Sequence, residues 1–424
     1  MNQPFATDHR DTWRQAVTWL LLISVVLPAA GGLSCRRETI TPVEVERPGR
    51  ALMPVDLHLR VRLAQGAASL ELAVAGPYEI RGPRHELLAD SPDPLQRSKV
   101  TVASSSSPPL SIGPYELGTG PVEIVPTDDG TIQLNDRRYR GRMRIEARPD
   151  GLTATNLIHV ESYLKGVLRG ELPRYFHRET FRAQAITART YALYQKLKHG
   201  PKRDYDVLST TASQVYIGLD AEGHNAVKAV DYTRGIVLTW DSPRGREVFS
   251  TYYSSTCGGM TQSVANVKPE PEIPPLAGGV ACPYCRNAPY YRWDPVRLTK
   301  TFVTEKLRGR FSHLAGLKTV RQLVVLGHTP NGHATRIKVV DADGKSFDLR
   351  AEDFRLAMGG NRLKSTRFRL VAERDAFVFQ DGRGYGHGVG MCQFGAEGMA
   401  KQGFTAGQIL RHYYPSSHLT KAYR

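Results

Sequence analysis

Between residues 55 and 63 the chain alternates without interruption: Val55, Leu57, Leu59, Val61 and Leu63 are separated by Asp56, His58, Arg60 and Arg62. Successive side chains of a strand point to opposite faces, so a run of period two predicts a half-buried β-strand. Leu70, Leu72 and Val74 repeat the pattern before Gly76-Pro77. The run Ser104-Ser105-Ser106-Ser107-Pro108-Pro109 predicts a surface loop between strands, and Asn135-Asp136 a tight turn ahead of a strand around Tyr139, Met143 and Ile145. The leading part of the chain is therefore mainly antiparallel β.

The period changes near Glu161. Residues 161–197 are rich in helix formers, and Phe181, Ala185, Ala188 and Ala192 are spaced to share one helix face. Strand-like segments return at 235–240 and 248–253. Residues 294–368 combine a helix with a hairpin signal, Asp343-Gly344, between 337–340 and 347–349. A last helix is predicted over 406–413, with Thr405 as N-cap and Pro415 beyond its end. Strands and helices are segregated instead of alternating as βαβ units, which predicts an α+β fold.

The 424 residues, 41% hydrophobic, carry enough apolar mass for a sizeable core and exclude disorder as the main state. The formal charge of +16 predicts work near an anionic partner. The N-terminus narrows which one. An apolar run from Ala16 to Ala30 follows Arg10 and Arg14 and gives way to small residues, the marks of an export signal. Gly32-Leu33-Ser34-Cys35 looks like a bacterial lipobox, so lipidation at Cys35 stands beside plain cleavage or a retained membrane anchor. An exported, envelope-located chain has no expected nucleic-acid partner. The expected organisation is an export signal or anchor at 1–35, a tether at 36–53 and a β-rich part at 54–150. A catalytic core follows at 151–290, then an α/β insertion at 291–370. A final segment at 371–424 completes the core.

Three segments concentrate chemistry. In the first, Glu171 lies between Gly170 and Leu172-Pro173 at the expected end of a short helix, and a carboxyl held among apolar groups resists ionisation as a general acid must. Arg182 and Arg189, two helical turns apart, can point the same way. The second segment runs through Ser255-Thr256-Cys257-Gly258-Gly259 to Cys282-Pro283-Tyr284-Cys285; its cysteines suit a metal knuckle or disulfides. The third is Gly384-Tyr385-Gly386-His387-Gly388-Val389-Gly390-Met391-Cys392, whose glycines allow tight turns but lack the Lys-Ser/Thr ending of a phosphate loop.

The order of these segments resembles the sporulation stage II protein D family, which includes the amidase-enhancer proteins of bacterial cell walls. The matching pieces are Tyr139-Arg140-Gly141, Tyr163-Leu164-Lys165-Gly166-Val167, Glu171-Leu172-Pro173, Ala183-Gln184-Ala185 with Ala188-Arg189-Thr190-Tyr191-Ala192, and Gln214-Val215-Tyr216. Ser255-Thr256-Cys257-Gly258-Gly259, Leu363-Lys364-Ser365-Thr366-Arg367-Phe368, Gly386-His387-Gly388-Val389-Gly390-Met391 and residues 409–415 follow. The resemblance implies a lytic transglycosylase that cuts the N-acetylmuramic acid to N-acetylglucosamine bond of peptide-stripped peptidoglycan strands and leaves 1,6-anhydromuramic ends. It implies Glu171 as acid and then base. Arg182, where Lys is commoner in the family, and Arg189 would line the site. Gln214, Tyr216, Ser255, Thr256 and His387 would surround the groove by the same mapping. The proposed chemistry requires no cofactor. Some members of the family bind zinc beside the groove through mixed His and Cys sets. A structural zinc site of Cys257, Cys282, Cys285 and either Cys392 or His387 here stands against two disulfides. The alternative function is a non-catalytic enhancer of a cell-wall amidase, which would then be a partner beside peptidoglycan and the membrane.

Overall fold

The computed structural model describes residues 45–46, 56–102 and 109–424. The export signal, Cys35, Val55 and residues 104–108 of the serine-proline run lie outside the described residues.

The alternating run forms the strand His58–Ala67, paired antiparallel with Gly151–His159 and parallel with Val207–Leu208. Leu59 and Val61 are buried as the period requires. Arg62, expected on the wet face, is buried too: a bulge shifts the register after it, its Nε donates to Thr155 Oγ1 at 3.0 Å and its guanidinium pairs with Asp204 at 2.7 Å. This strand belongs to a seven-stranded sheet that continues through Arg142–Arg148, Val122–Pro126, Tyr78–Arg81 and Leu87–Ser91. A second, six-stranded sheet is built on Leu70–Ala75 and Leu95–Val102. The predicted turn at Asn135 forms, with Asn135 at φ 52°, but the strand expected beyond it is two strands in different sheets. Arg137–Tyr139 ends in the six-stranded sheet, and Arg142–Arg148 joins the seven-stranded one, so Tyr139 and Met143 belong to separate ladders.

Inward residues of both sheets, among them Val61, Leu72, Ile80, Ile124, Ile132 and Ile145, share one hydrophobic cluster with the first helices. Helix α1 (Val160–Glu171) starts at His159, whose ring accepts the Glu161 N–H at 3.2 Å, and stops at Leu172 because Pro173 disfavours helical backbone before it. Helix α2 (Arg178–His199) is central. Phe181, Ala185, Ala188 and Ala192 enter this first cluster, while Ala183 and Ile186 enter a second. A helix apolar on two sides is buried between two cores, and its alanines let both approach closely. Helix α3 (His224–Tyr232) packs on α1 and α2.

The second core is closed by the sheet Gly245–Val248, Ile236–Ser242, Ser417–Lys421 and by the last helices. Only part of the 248–253 segment extends the pattern foreseen: Gly245–Val248 and Tyr253–Ser254 are separate strands, and the latter runs parallel to Met391–Cys392. A third cluster holds Trp293 to Phe379 around helices α4 (Lys300–Arg310) and α5 (Ala351–Met358) and two three-stranded sheets. Its hairpin turns at Asp343-Gly344: Asp341 Oδ1 accepts the N–H groups of Asp343 and Lys345 at 3.0 Å each, and Gly344 takes φ 79°. Helix α6 (Gln393–Lys401) returns to the second core, and α7 (Ala406–Tyr413) follows, with Thr405 and Gln408 forming a capping box. The fold is α+β, and no described helix is long and apolar enough to cross a membrane.

Candidate active site

The end of α1 places Glu171 in the wall of a cavity of about 540 Å³. One residue earlier, Gly170 allows the chain at Val215 to approach: a Cβ there would overlap the Val215 carbonyl. That approach brings the Val215 N–H to 2.6 Å from Glu171 Oε1. Burial in this wall pushes the Glu171 carboxyl up to about 7, against hydrogen bonds from Val215, Tyr253 and Gln393 that favour the charged form. The fold thus holds a carboxyl poised between its two protonation states near neutral pH.

Around it, α2 contributes Tyr191, Gln195 and His199, spaced by four and lying along one stripe of the helix. The segment after the second core's sheet contributes Tyr252, Tyr253, Ser254 and Ser255, and α6 contributes Gln393, whose Nε2 donates to the Glu171 carbonyl at 3.3 Å. His387 comes from the glycine-rich turn, held by the Gly388 N–H donating to Ser254 Oγ at 3.2 Å. Its Nδ1 accepts the Val389 N–H at 3.1 Å, which leaves the ring proton on Nε2. Burial, with Lys268 and Arg355 nearby, lowers its pKa to about 4, so the ring is a neutral donor at neutral pH. Arg355, Leu356, Gly360 and Asn361 reach in from the third cluster's α5 region.

Of the residues singled out in the sequence, Glu171, Ser255 and His387 line this cavity. Gln214 stands one layer behind: its Nε2 donates to Tyr253 OH at 3.2 Å and its Oε1 accepts from Tyr163 OH at 3.1 Å. Tyr216 is buried and donates to Asn156 Oδ1 at 2.9 Å, away from the cavity. Thr256 is buried beside Ser255, tied to Tyr385 through the backbone.

The expectation that Arg182 and Arg189 line the groove is corrected. Their two-turn spacing does aim both the same way, but toward α3. Arg182 pairs with Glu179 and lies over the Tyr232 ring at 3.6 Å. Arg189 is fully buried: it forms a two-pronged pair with Glu161 at 2.7 and 3.0 Å and also donates to Thr233 Oγ1 and the carbonyls of Val230 and Ile236. Tyr191, two residues on and so roughly 200° around the helix, is what faces the cavity.

Glu270 was missed. It sits in Lys268-Pro269-Glu270-Pro271-Glu272, which reads as a solvated charged loop, yet it lines the cavity and accepts from Tyr252 OH at 2.5 Å. Burial, with this bond, raises the Tyr252 pKa. Lys268 and Glu270 also line a second cavity, of about 790 Å³, that runs on to His313, Arg336 and Arg350.

The four cysteines Cys257, Cys282, Cys285 and Cys392 converge behind this wall, all buried and unpaired as disulfides. Their sulfurs lie within 4.8 Å of one another. His387 is not among them.

A chain with a β-rich leading part, a two-faced central helix and a half-buried glutamate at the end of the helix before it matches the family described as stage II sporulation protein over residues 148–240. Residues 284–390 match a domain of unknown function (DUF8618). An uncharacterised protein of Brachyspira hyodysenteriae is 32% identical over 358 residues, 84% of this chain and 91% of that one. Stage II sporulation protein D of Bacillus subtilis is 30% identical over 281 residues, 62% of this chain and 75% of that protein. The amidase enhancer of Bacillus subtilis is 27% identical over 296 residues, 61% of this chain but 40% of that longer protein. The chain belongs to the stage II sporulation protein D family.

Proposed function

We propose that this protein acts at the bacterial cell envelope and cleaves peptidoglycan glycan strands as a lytic transglycosylase, with Glu171 as acid and then base. The observation that carries this reading is the Glu171 carboxyl itself, open to a cavity and raised to about 7. Near neutral pH about half of such groups are protonated, which suits a residue that must first give and then take a proton.

In the first step protonated Glu171 donates to the glycosidic oxygen as the bond to C1 breaks toward an oxocarbenium-like state. In the second, the carboxylate removes the proton of the muramyl C6 hydroxyl while that oxygen attacks C1. The nucleophile belongs to the substrate, so the paired carboxylates of an ordinary glycosidase are unnecessary. The Val215 N–H remains on Glu171 Oε1 in both states and helps to hold the charge that forms after donation. Tyr191, Tyr252 and Tyr385 supply flat apolar faces for sugar rings, and the His387 ring, fixed by the Val389 N–H and the Tyr253 carbonyl, shapes the wall beside them. Lys268 and Arg203 give the cavity cationic groups suited to the anionic muramyl groups, while Arg355 is held in a buried pair with Glu352. The second cavity, sharing Lys268 and Glu270 with the first, suits a polymer better than a single small sugar.

One finding favours a second reading, in which the chain stimulates a cell-wall amidase without cutting glycan: the likeness to a protein named amidase enhancer. Digests of intact and peptide-stripped peptidoglycan analysed by mass spectrometry separate the two. Anhydromuramic ends produced by the chain alone, and lost in Glu171→Gln, support the enzyme. Release of stem peptides only when an amidase is added, with no glycan product, supports the enhancer.

A further inference from the structure

We propose that Cys257, Cys282, Cys285 and Cys392 form an all-thiolate zinc centre that clamps together the chain segments bearing Ser255, His387 and Gln393. The inference concerns the folding of the wall and holds whichever reaction the cavity performs.

The sulfur separations fit a tetrahedral site. Zinc–sulfur bonds of about 2.3 Å arranged tetrahedrally put the sulfurs about 3.8 Å apart. Cys257 Sγ and Cys285 Sγ are 3.8 Å apart, and all four sulfurs fall within 4.8 Å of one another. A disulfide would require a pair at about 2.05 Å. Cys282 and Cys285 open and close a one-turn knuckle, Pro283–Cys285, in which Cys285 Sγ also approaches the Cys282 carbonyl at 3.6 Å.

The surroundings fit a cluster carrying excess negative charge. Four thiolates around a divalent ion leave a net charge of about −2, which must be met by donors, and the thiol protons pass to solvent on binding. Cys392 Sγ accepts the N–H groups of Cys257 and Gly395, each at 3.3 Å, and Cys392 caps the N-terminus of α6. The Gly259 N–H points at Cys285. Tyr413 OH lies 3.0 Å from Cys282 Sγ. Such outer partners orient ligands and tune their affinity. Gly395 itself has no room for a Cβ between Cys282 Sγ and Tyr413.

The ligands are also placed where a clamp matters. Cys257 is two residues from Ser255, Cys392 precedes Gln393, and the strands Tyr253–Ser254 and Met391–Cys392 share only a short parallel pairing. Without a link, two loops joined by so few backbone bonds would hold the cavity wall loosely.

The test uses the purified full-length chain, loaded with zinc and stripped of free metal. Elemental analysis is expected to find about one zinc per chain. Cobalt substitution is expected to produce the thiolate charge-transfer and visible bands of a tetrahedral sulfur site. Tyr413→Phe is expected to lower zinc affinity about 10–100-fold in chelator competition, and His387→Ala to leave the zinc content unchanged. Two disulfides in non-reduced, metal-free protein, iron in place of zinc, or loss of zinc in His387→Ala would each overturn the proposal. The measurements on the unmodified chain decide it even if a variant does not fold.

Discussion

Replacing Glu171 by Gln makes the protein more stable at alkaline pH and leaves it almost unchanged in acid. Burial raises the Glu171 carboxyl from 4.5 to about 7 in the folded chain. The sign follows from linkage: a raised carboxyl binds its proton more tightly folded than unfolded, so its contribution is fully present below about pH 4.5 and is lost as pH rises through about 7. At roughly 1.4 kcal/mol per pH unit, the full loss is about 3 kcal/mol. Gln is neutral throughout, has nearly the same shape, and its Oε1 can still accept the Val215 N–H. Urea unfolding of both proteins across this range therefore gives stabilities that coincide in acid and separate up to a plateau above neutrality, with Glu171→Gln the more stable. A constant difference at all pH values would refute the claim that the carboxyl is held protonated by desolvation.

Glycan cleavage is expected to fall as pH rises through about 7, with any rising limb from loss of the His387 proton near 4 and outside the ordinary histidine range; a rate that instead rises with pH through about 6.5 would contradict this. Arg189→Met strands the buried Glu161 charge and is expected to destabilise the fold by about 3–5 kcal/mol, read as lower melting temperature and lower soluble yield; a stable but inactive variant would instead assign Arg189 to the groove. Gly170→Ala, which in an ordinary exposed helix would stabilise, is expected to cost about 1–3 kcal/mol by overpacking against Val215 and to shift the pH dependence of cleavage, since it displaces the N–H on Glu171.

Much of the fold was legible because local chemistry and tertiary structure agree in this chain. The period-two run at Leu59 and Val61, the Asp343-Gly344 hairpin and the Thr405 cap all form as their residues require. The place of Glu171 between Gly170 and Leu172-Pro173 marks a helix end, but many glutamates sit at helix ends, and it is the family resemblance that singles this one out. Arg182 and Arg189 show where such reasoning stops. Spacing fixes that two side chains share a helix face, but α2 is buried on several sides, and only the packing of α3 decides which face meets the cavity. The alternation predicts one strand over Tyr139 and Met143, because nothing in it marks the change of sheet between them. The loop around Glu270 reads as solvated because the group that half-buries this carboxylate is Tyr252, close in space but distant in sequence and outside the loop's own pattern. Likewise the spacing of the cysteines allowed either Cys392 or His387 as fourth partner, and only the fold brings Cys392 Sγ to the other three.

The most direct test of the central claim is mass spectrometry of peptide-stripped glycan strands incubated with the purified chain and, in parallel, with Glu171→Gln. The account predicts 1,6-anhydromuramic ends from the unmodified protein and none above background from the variant. Equal product from both, or reducing muramic ends in place of anhydro ends, would contradict it.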